Sequence, residues 1–365
     1  GELFKQPELA ATLRRIQING AREFYEGLTA EYIVDCMERT GGIISLEDLK
    51  QYKAIIREPI KFDYRGYQIY SMPPPSSGGI AIAGILNQLE NINLNQYDYH
   101  SYEHIQMLTE AERNVYSDRA FYLGDTDFIS VPIKDLISDE YSNSRWSEID
   151  FKLARKSTNV EKGDVRFKNE PEETTHYSVA DKWGNAVSVT TTVNGWYGNG
   201  ITVDRAGFLL NNEMDDFSSK PGVPNKYGLV GAEANAIEPG KRMLSSMTPT
   251  IVLDPNNKLY LVLGSPGGST IITTVAQIIM NIIDFDMTLE SAIETKRVHH
   301  QWLPDVIFSE PNSISDKNKK SLKDLGYTIK NRRSIGEANC ILYDYENKIF
   351  YASGDSRRRA SAKAY

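Results

Sequence analysis

The spacing of apolar residues changes along the chain, from a helical repeat in the front part to short alternating runs in the second half. The stretch 61–70 alternates like a strand pair, with Arg65-Gly66 at the turn. Ser45 and Asp48 have the form of a capping box, which marks the start of a short helix. Apolar residues at helical spacing predict further helices over residues 7–19, 21–40, 80–89 and 102–122.

The second half is rich in short segments of β-branched residues. Residues 174–180 and 185–193 predict two strands, joined by a turn over 181–184. A sheet-rich half with helices laid on it predicts a layered α/β fold. The same patterns predict strands at 207–210, 250–253, 260–263, 340–343 and 349–352, and helices at 269–284 and 288–295.

Residues 150–173 separate the two halves. Lys, Arg, Glu, Asn and Ser dominate this segment and hydrophobic residues are sparse, which is typical of a solvated linker or a mobile loop. The basic run at 354–359, close to the end of the sequence, predicts a solvated terminus.

Composition and charge exclude several classes of protein. The 365 residues are 40% hydrophobic, and the net charge of −8 disfavours a nucleic-acid binder that relies on phosphate attraction. No apolar stretch is long enough for a membrane span, the best being residues 271–283. The first residues do not have the pattern of a signal peptide.

Cysteines and histidines are too few for most metal schemes. Cys36 and Cys340 form neither a disulfide framework nor a four-ligand zinc site. His100 and His104 have a spacing that suits a metal on a helix, but no Glu stands in the zinc-protease position, so packing roles are favoured. We therefore expect no metal ion.

Thr174 follows the polar linker directly, which suggests one kind of nucleophile. Cleavage before Thr174 would leave a free α-amine beside its own hydroxyl. An α-amine has a pKa near ~8, so it can accept the hydroxyl proton without a histidine. The alternative is an ordinary strand start, where Thr is common.

The segment 264–268 is a Gly-rich turn between a predicted strand and a predicted helix. Gly267 and Gly268 can bring bare backbone amides close to a carbonyl oxygen, as an oxyanion hole requires. The turn lacks the Gly-Lys-Ser/Thr ending of a nucleotide-binding loop, so phosphate transfer is not expected. A purely structural turn is the alternative.

Two polar clusters stand where a strand-rich core would hold apolar residues. Residues 211–216 supply three acidic groups, and residues 241–246 supply cations and hydroxyls. Acidic groups suit an ammonium, whereas hydroxyls and cations suit a carboxylate, so the two clusters together suit an amino-acid head group. Each cluster alone is also compatible with a solvated loop.

Long motifs identify the chain as resembling the γ-glutamyltransferase (γ-glutamyl transpeptidase) family, in an order preserved through nearly the whole sequence. The Thr174-Thr-His-Tyr-Ser178 segment is one of them, and Tyr116-Ser-Asp-Arg119 is another. The remaining motifs are found at 24–27, 64–67, 72–79, 209–218, 220–225, 244–247, 264–268 and 299–304.

The resemblance implies an αββα sandwich of the N-terminal nucleophile hydrolase type, made as a precursor that cuts itself. By position, the cut falls between Glu173 and Thr174. Residues 1–173 would then be the mostly helical C-terminal part of the large subunit, and residues 174–365 the sheet-rich small catalytic subunit, packed with the first into one body. The sequence starts after the front of the family's large subunit, which carries the arginine that grips the substrate carboxylate.

The resemblance also assigns roles to individual residues. Thr174 matches the nucleophile, and Thr192 matches the second threonine, whose hydroxyl hydrogen-bonds the first. Residues that match the family's other site positions are Asn194, Glu213 and Asp216 at the substrate amino group, Ser245 and Ser246 at the carboxylate, Gly267 and Gly268 at the oxyanion, and Tyr227 as a lid.

The activity implied is ping-pong acyl transfer from glutathione or another γ-glutamyl compound to water, an amino acid or a dipeptide, with no metal or organic cofactor. The family suggests a periplasmic or secreted protein built from two subunits of one precursor. Two alternatives remain: a related acylase acting on poly-γ-glutamate or β-lactam side chains, and a truncated, non-catalytic member of the family.

Overall fold

The computed structural model describes residues 1–160, 174–218, 220, 222–223, 229–358 and 360–364. These residues divide into two compact units. The first unit comprises residues 1–57 and 193–212, and the second comprises residues 58–192 and 213–365. Each unit therefore contains residues from both sides of the predicted cleavage point.

The first unit is built from helices, in a pattern close to the predicted one. The predicted helix over 21–40 is divided, because Glu26 (φ −136°, ψ −8°) and Gly27 (φ −99°, ψ −161°) do not have helical backbone angles. At Ser45, the predicted capping box is present. The helices are α1 (Pro7–Asn19), α2 (Arg22–Tyr25), α3 (Leu28–Thr40) and α4 (Leu46–Gln51).

The strand predicted at 207–210 is wrong. Gly207 has φ +74°, a left-handed conformation that interrupts an extended backbone, and a Cβ at this position would lie 2.5 Å from the backbone nitrogen of Leu9 in α1. Leu209 makes only an isolated bridge with Thr202. This segment closes the unit's small core, which is formed by Ile33, Cys36, Met37, Val203 and Ala206.

The second unit combines helices and sheets. Its helices are α5 (Gly78–Leu89), α6 (Tyr102–Tyr122), α7 (Ile133–Leu136), α8 (Asp139–Ser147), α9 (Thr270–Ile283), α10 (Leu289–Glu294) and α11 (Asp316–Asp324). Its strands are β1 (Ile60–Tyr64), β2 (Tyr67–Ser71), β3 (Thr175–Ala180), β4 (Ala186–Thr191), β5 (Thr250–Leu253), β6 (Leu259–Leu263), β7 (Val298–His299), β8 (Ile307–Ser309), β9 (Ile329–Asn331), β10 (Asn339–Asp344) and β11 (Ile349–Gly354).

One antiparallel sheet organises this unit, in the order β1-β2-β5-β6-β10-β11. Helix α5 packs against β1 and β2 and also against α6 and α9, so a helical layer covers the sheet. The strands β7, β8 and β9 form a separate small sheet. These elements enclose the main hydrophobic core.

The β3–β4 hairpin packs on the six-stranded sheet, against β5, β6 and β10. Ser188 of β4 donates to the backbone oxygen of Leu263 at 2.9 Å and accepts from the backbone N–H of Thr250 at 3.1 Å. Residues 261–263 of β6 are all buried, as expected for a strand covered on both faces. The predicted layered α/β fold is therefore confirmed.

The expectation that residues 354–359 form a solvated terminus is wrong for Asp355, which is buried, and for Arg357, whose side chain is only 6% exposed. Arg357 Nη2 lies 2.6 Å from Glu310 Oε2, and its Nη1 lies 3.0 Å from Asp355 Oδ1. Arg297 is also buried and pairs with Asp355 at 2.9 Å. Two cations and two carboxylates therefore anchor this segment inside the second unit.

Among the described residues, no helix is both long and apolar enough to cross a membrane. The apolar helix α9 has 14 residues, whereas a spanning helix needs about 20.

Candidate active site

The β3–β4 hairpin sets the position of Thr174. The two strands pair from Ala180↔Ala186 to Thr175↔Thr191. Thr174 and Thr192 are the next residues on the two strands, so the register brings them to the same end of the hairpin. Both are partly exposed. Thr174 and Thr192, which the family resemblance pairs, therefore lie at the same end of the β3–β4 hairpin.

His176 joins this end of the hairpin to the large sheet. Its ring nitrogens lie 2.9 Å from Thr190 Oγ1 and 3.1 Å from Ser178 Oγ. Its backbone oxygen accepts from Asn339 Nδ2 of β10 at 3.0 Å. Burial lowers the pKa of His176 to about 4, so the imidazole is neutral at pH 7.

The Gly-rich turn at 264–268 lies directly beside His176. A Cβ at Gly264 would come within 2.3 Å of the imidazole, so glycine alone allows the ring to lie there. The backbone oxygen of Gly264 accepts from the N–H of Asn339 at 3.2 Å. The contacts of His176 and Asn339 thus place this turn near the end of the hairpin that carries Thr174.

Gly267 and Gly268 end the turn just before α9. Gly267 has φ +136° and Gly268 has φ +54°, conformations that favour glycine. The oxygen of Gly267 accepts from the backbone N–H of Thr270 at 3.0 Å and from its hydroxyl at 2.8 Å. Among the described residues, the N–H groups of Gly267 and Gly268 donate to no protein acceptor. The turn therefore presents two backbone donors at a helix N-terminus.

Glu213 and Asp216 lie on a short 3₁₀ turn, residues Glu213–Asp216. The buried Asn235 connects this turn to the serine segment, because its Nδ2 donates to the backbone oxygen of Asp216 at 2.8 Å. Its Oδ1 accepts from the N–H of Leu244 at 2.9 Å. The acidic turn and the residue before Ser245 are thus held by one side chain.

The segment that carries Ser245 and Ser246 is fixed from its other side by the Pro-rich loop before α5. The oxygen of Ser245 accepts from the backbone N–H of Ser77 at 2.9 Å and from its hydroxyl at 2.8 Å. The N–H of Ser245 donates to the oxygen of Pro75 at 2.9 Å. Ser246 is buried, whereas Ser245 is partly exposed. Hydrogen bonds to the backbone of Ser245 therefore fix the segment that carries both serines.

For three of the predicted site residues, the structure gives no position relative to Thr174, the Gly-rich turn and the serine segment. Asn194 belongs to the first unit, where it is buried with φ +70° and donates through Nδ2 to the oxygen of Asn212 at 3.1 Å. Tyr227, the predicted lid, lies outside the described residues, as does Glu173 on the N-terminal side of the predicted cut. The roles of these three residues stay predictions.

The histidine pair with metal-ligand spacing has packing partners. His100 and His104 are buried, the backbone N–H of His100 donates to His104 Nδ1 at 3.1 Å, and His100 Nδ1 lies 2.9 Å from the oxygen of Ser313. Burial lowers both pKa values, to about 4 and about 3 respectively. In the part of the chain that is described, no three His, Cys, Asp or Glu side chains are grouped as metal ligands would be.

Sequence reasoning missed residues that support the site. His176 lies on a predicted strand, and nothing in the sequence indicates that its ring contacts Gly264. Asn235 lies in an irregular segment whose hydrophobic spacing predicts no element. Arg119 is different, because it belongs to one of the quoted family motifs, and its buried guanidinium contacts Ser246 Oγ at 3.2 Å. Only the motif could have drawn attention to it.

The sequence model of the gamma-glutamyltranspeptidase family matches residues 1–365, the whole sequence. The chain belongs to this family. It is 48% identical, over 97% of its length, to a glutathione hydrolase proenzyme of Escherichia coli, and 44% identical, over 98%, to one of Pseudomonas aeruginosa. It spans 60% and 64% of the lengths of these two gamma-glutamyltranspeptidase relatives.

A solved relative supports the fold assignment. The crystal structure of a cephalosporin acylase from Bacillus halodurans superposes with a TM-score of 0.84 at 25% identity, covering 100% of this chain and 64% of that one. The predicted N-terminal nucleophile hydrolase fold of layered sheets is therefore confirmed for this gamma-glutamyltranspeptidase family member.

Proposed function

We propose that this protein is a γ-glutamyltransferase and glutathione hydrolase that works through a γ-glutamyl ester on Thr174. The observation that carries the proposal is the hairpin register, which brings Thr174 and Thr192 together. The neighbouring turn adds the two backbone donors of Gly267 and Gly268. A nucleophile beside an oxyanion site is the arrangement that acyl transfer needs.

Activation of Thr174 begins with cleavage of the Glu173–Thr174 bond, which produces fragments 1–173 and 174–365 that stay together as two subunits. The new α-amine of Thr174 takes the proton of its own hydroxyl as Oγ attacks the γ-carbonyl carbon. Thr192, across the hairpin, holds Oγ in place by a hydrogen bond. No other base is needed in this scheme, which agrees with the neutral, hydrogen-bonded state of His176.

The tetrahedral oxyanion is stabilised by the N–H groups of Gly267 and Gly268. It collapses with breakage of the carbon–nitrogen bond, and the leaving amine receives the proton held by the α-amine. The acceptor, either water or the amine of an amino acid or dipeptide, then attacks the ester carbon and gives its proton to the same α-amine. The bond between this carbon and Oγ breaks, and Oγ takes the proton back from the α-amine. This step releases glutamate or a new γ-glutamyl compound and restores Thr174.

The two ends of the substrate head group bind to different kinds of side chain, carboxylates at one end and hydroxyl donors at the other. Asp216 and Glu213 bind the α-ammonium, and Ser245 and Ser246 bind the α-carboxylate. The family resemblance also assigns Asn194 to the ammonium. Asn235 supports this division, because it fixes the acidic turn relative to the residue before Ser245. The family resemblance assigns Tyr227 the role of a lid residue.

The test is release of a chromogenic aniline from a γ-glutamyl anilide. Thr174→Ala is expected to abolish both release and the appearance of two fragments on a denaturing gel. Thr175→Ala, the same change at the adjacent, exposed position of β3, is the matched control and should retain both. One intact band and no release from the unaltered protein would instead favour a non-catalytic family member.

A second candidate is acylase activity on β-lactam side chains, which the similarity to the cephalosporin acylase structure favours. A competition assay separates the two candidates. A γ-glutamyl peptide should suppress anilide turnover at lower concentration than a β-lactam side-chain amide or poly-γ-glutamate, and the reverse order would favour the acylase.

The family resemblance also leads us to place the protein in the periplasm or outside the cell. Fractionation of the cells that make it should recover γ-glutamyl anilide turnover in the extracytoplasmic fraction.

A further inference from the structure

Arg119 is a buried cation next to the serine segment. It lies near the C-terminal end of α6 and is 4% exposed. Its Nε donates to Ser77 Oγ at 2.9 Å, and its Nη2 donates to Ser246 Oγ at 3.2 Å. The guanidinium therefore connects the Pro-rich loop before α5 with the serine proposed to bind the carboxylate.

Among the described residues, no carboxylate lies within 4.0 Å of the Arg119 guanidinium, and Asp216 acts on its charge only from a longer distance. The adjacent carboxylate, Asp118, pairs with Arg145 instead, at 3.4 Å. Burial lowers the pKa of Arg119 to about 10, so it stays protonated at neutral pH. A buried cation with no carboxylate in direct contact is costly, and a structure that retains one is suited to receive an anion at that place.

The hydrogen bond between Arg119 and Ser246 determines how the positive charge affects the Ser246 hydroxyl. Because Ser246 Oγ accepts from Arg119, its own hydroxyl proton must point elsewhere, and a hydroxyl that accepts from a cation is a stronger donor. Ser77 fixes the direction of the guanidinium, since its hydroxyl accepts from Arg119 Nε and donates to the backbone oxygen of Ser245. Ser246 is thereby set as a donor toward a ligand.

We propose that Arg119 is a positioning residue that makes the serine segment selective for an α-carboxylate. It orients the Ser246 hydroxyl as a donor and adds a positive charge behind it, without touching the substrate. This inference rests on the proposed function. If Arg119 acts in this way, its replacement weakens binding of a substrate with a negatively charged α-carboxylate more than binding of a neutral one. A purely structural role would weaken both equally.

The experiment compares two substrates in the full chain: a γ-glutamyl anilide with a free α-carboxylate, and the same anilide with an α-carboxamide. The unaltered protein should prefer the carboxylate. Arg119→Gln should lower kcat/KM for the carboxylate substrate by about tenfold or more, through KM, since a hydrogen bond to a charged group contributes about 1.5–3 kcal/mol. The carboxamide substrate should change by less than about threefold.

The matched variant Arg119→Lys keeps the positive charge and should hold the preference for the carboxylate within about threefold of the unaltered protein. Equal losses on both substrates in Arg119→Gln, or loss of the preference in the Lys variant as well as in the Gln variant, would overturn the inference while leaving the proposed function intact. Absence of turnover by the unaltered protein would overturn the proposed function itself.

If Arg119→Gln does not fold, Ser77→Ala takes its place. This change removes the acceptor that fixes Arg119 Nε but leaves every charge and the backbone bond from Ser77 to Ser245 in place. A smaller loss, confined to KM for the carboxylate substrate, is expected. Equal losses on both substrates, or no loss on the carboxylate substrate, would contradict the proposal.

Discussion

Single residues determine how the two polar parts of the candidate site are held. Asn235 uses its amide as a donor to the acidic turn and its carbonyl as an acceptor from the segment that leads to Ser245. The sequence predicted roles for Asp216, Ser245 and Ser246, because they lie in polar clusters that stand out in a strand-rich sequence and because they match family motifs. It could not identify Asn235, since an Asn in an irregular segment is ordinary and its partners are backbone atoms.

Asn235→Asp tests this connection with a nearly isosteric change. The acceptor for the N–H of Leu244 is kept, but the donor to the oxygen of Asp216 becomes a second acceptor, which repels it. Loss of this bond should displace the acidic turn and raise KM for a γ-glutamyl anilide about tenfold, with a smaller effect on kcat. Steady-state kinetics measure both constants.

Asn256→Asp, the same substitution in an exposed turn, is the control and should leave KM unchanged. An unaltered KM in a folded Asn235→Asp variant would show that the two segments hold their positions without this side chain.

At the scale of elements, sequence periodicity predicted the long elements well and the short ones poorly. Helix α6 has the predicted bounds, and the strands around Thr174 lie within one or two residues of theirs. The strands β7, β8 and β9 have two or three residues each, which is too short for an alternation to be recognised. The division between α2 and α3 results from the non-helical backbone of Glu26 and Gly27, which the spacing of apolar residues does not reveal.

The contact between the hairpin and the Gly-rich turn gives a prediction at this scale. Gly264→Ala should lower the free energy of unfolding by about 1–3 kcal/mol, because its Cβ would overlap the ring of His176. Denaturant unfolding measures the loss.

A double-mutant cycle supplies the control. In a His176→Ala background the ring is absent, so the same Gly264→Ala change should cost much less. Equal costs in both backgrounds would mean that the loss comes from the backbone at residue 264 and not from the ring.

At the scale of the whole molecule, buried ionisable side chains affect the free energy of unfolding. The ion group of Arg297, Glu310, Asp355 and Arg357 is buried and connects the segment after β11 to the residues around β7 and β8. Composition predicted a solvated tail here, because a run of basic residues gives no sign of distant carboxylate partners.

Arg357→Ala should destabilise the protein by about 3–5 kcal/mol, since it leaves the buried Glu310 and Asp355 without one of their cations. Arg358→Ala is the neighbouring control. Its pair with Glu337 is longer, at 3.5 Å, and about a third of the arginine is exposed, so a loss of no more than about 1 kcal/mol is expected. Equal melting temperatures for the two variants would contradict the assigned anchoring.

His104 gives a pH-dependent prediction. Burial lowers its pKa from 6.5 to about 3, so in the acid range the unfolded chain binds a proton that the folded protein does not. This group therefore costs stability as the pH falls below 6.5. His104→Gln should lose less stability than the unaltered protein between pH 6.5 and pH 4, by about 1.4 kcal/mol per pH unit. Parallel stability curves for the two proteins would contradict the assignment.

The central claim is that Thr174 becomes an N-terminal residue and carries the acyl group during turnover. The most direct measurement is peptide mapping by mass spectrometry after rapid acid quenching of the protein with a γ-glutamyl substrate. The account predicts a peptide that begins at Thr174 and carries one γ-glutamyl group. A γ-glutamyl group on any other residue, or an uncut Glu173–Thr174 bond in a preparation that turns over substrate, would contradict it.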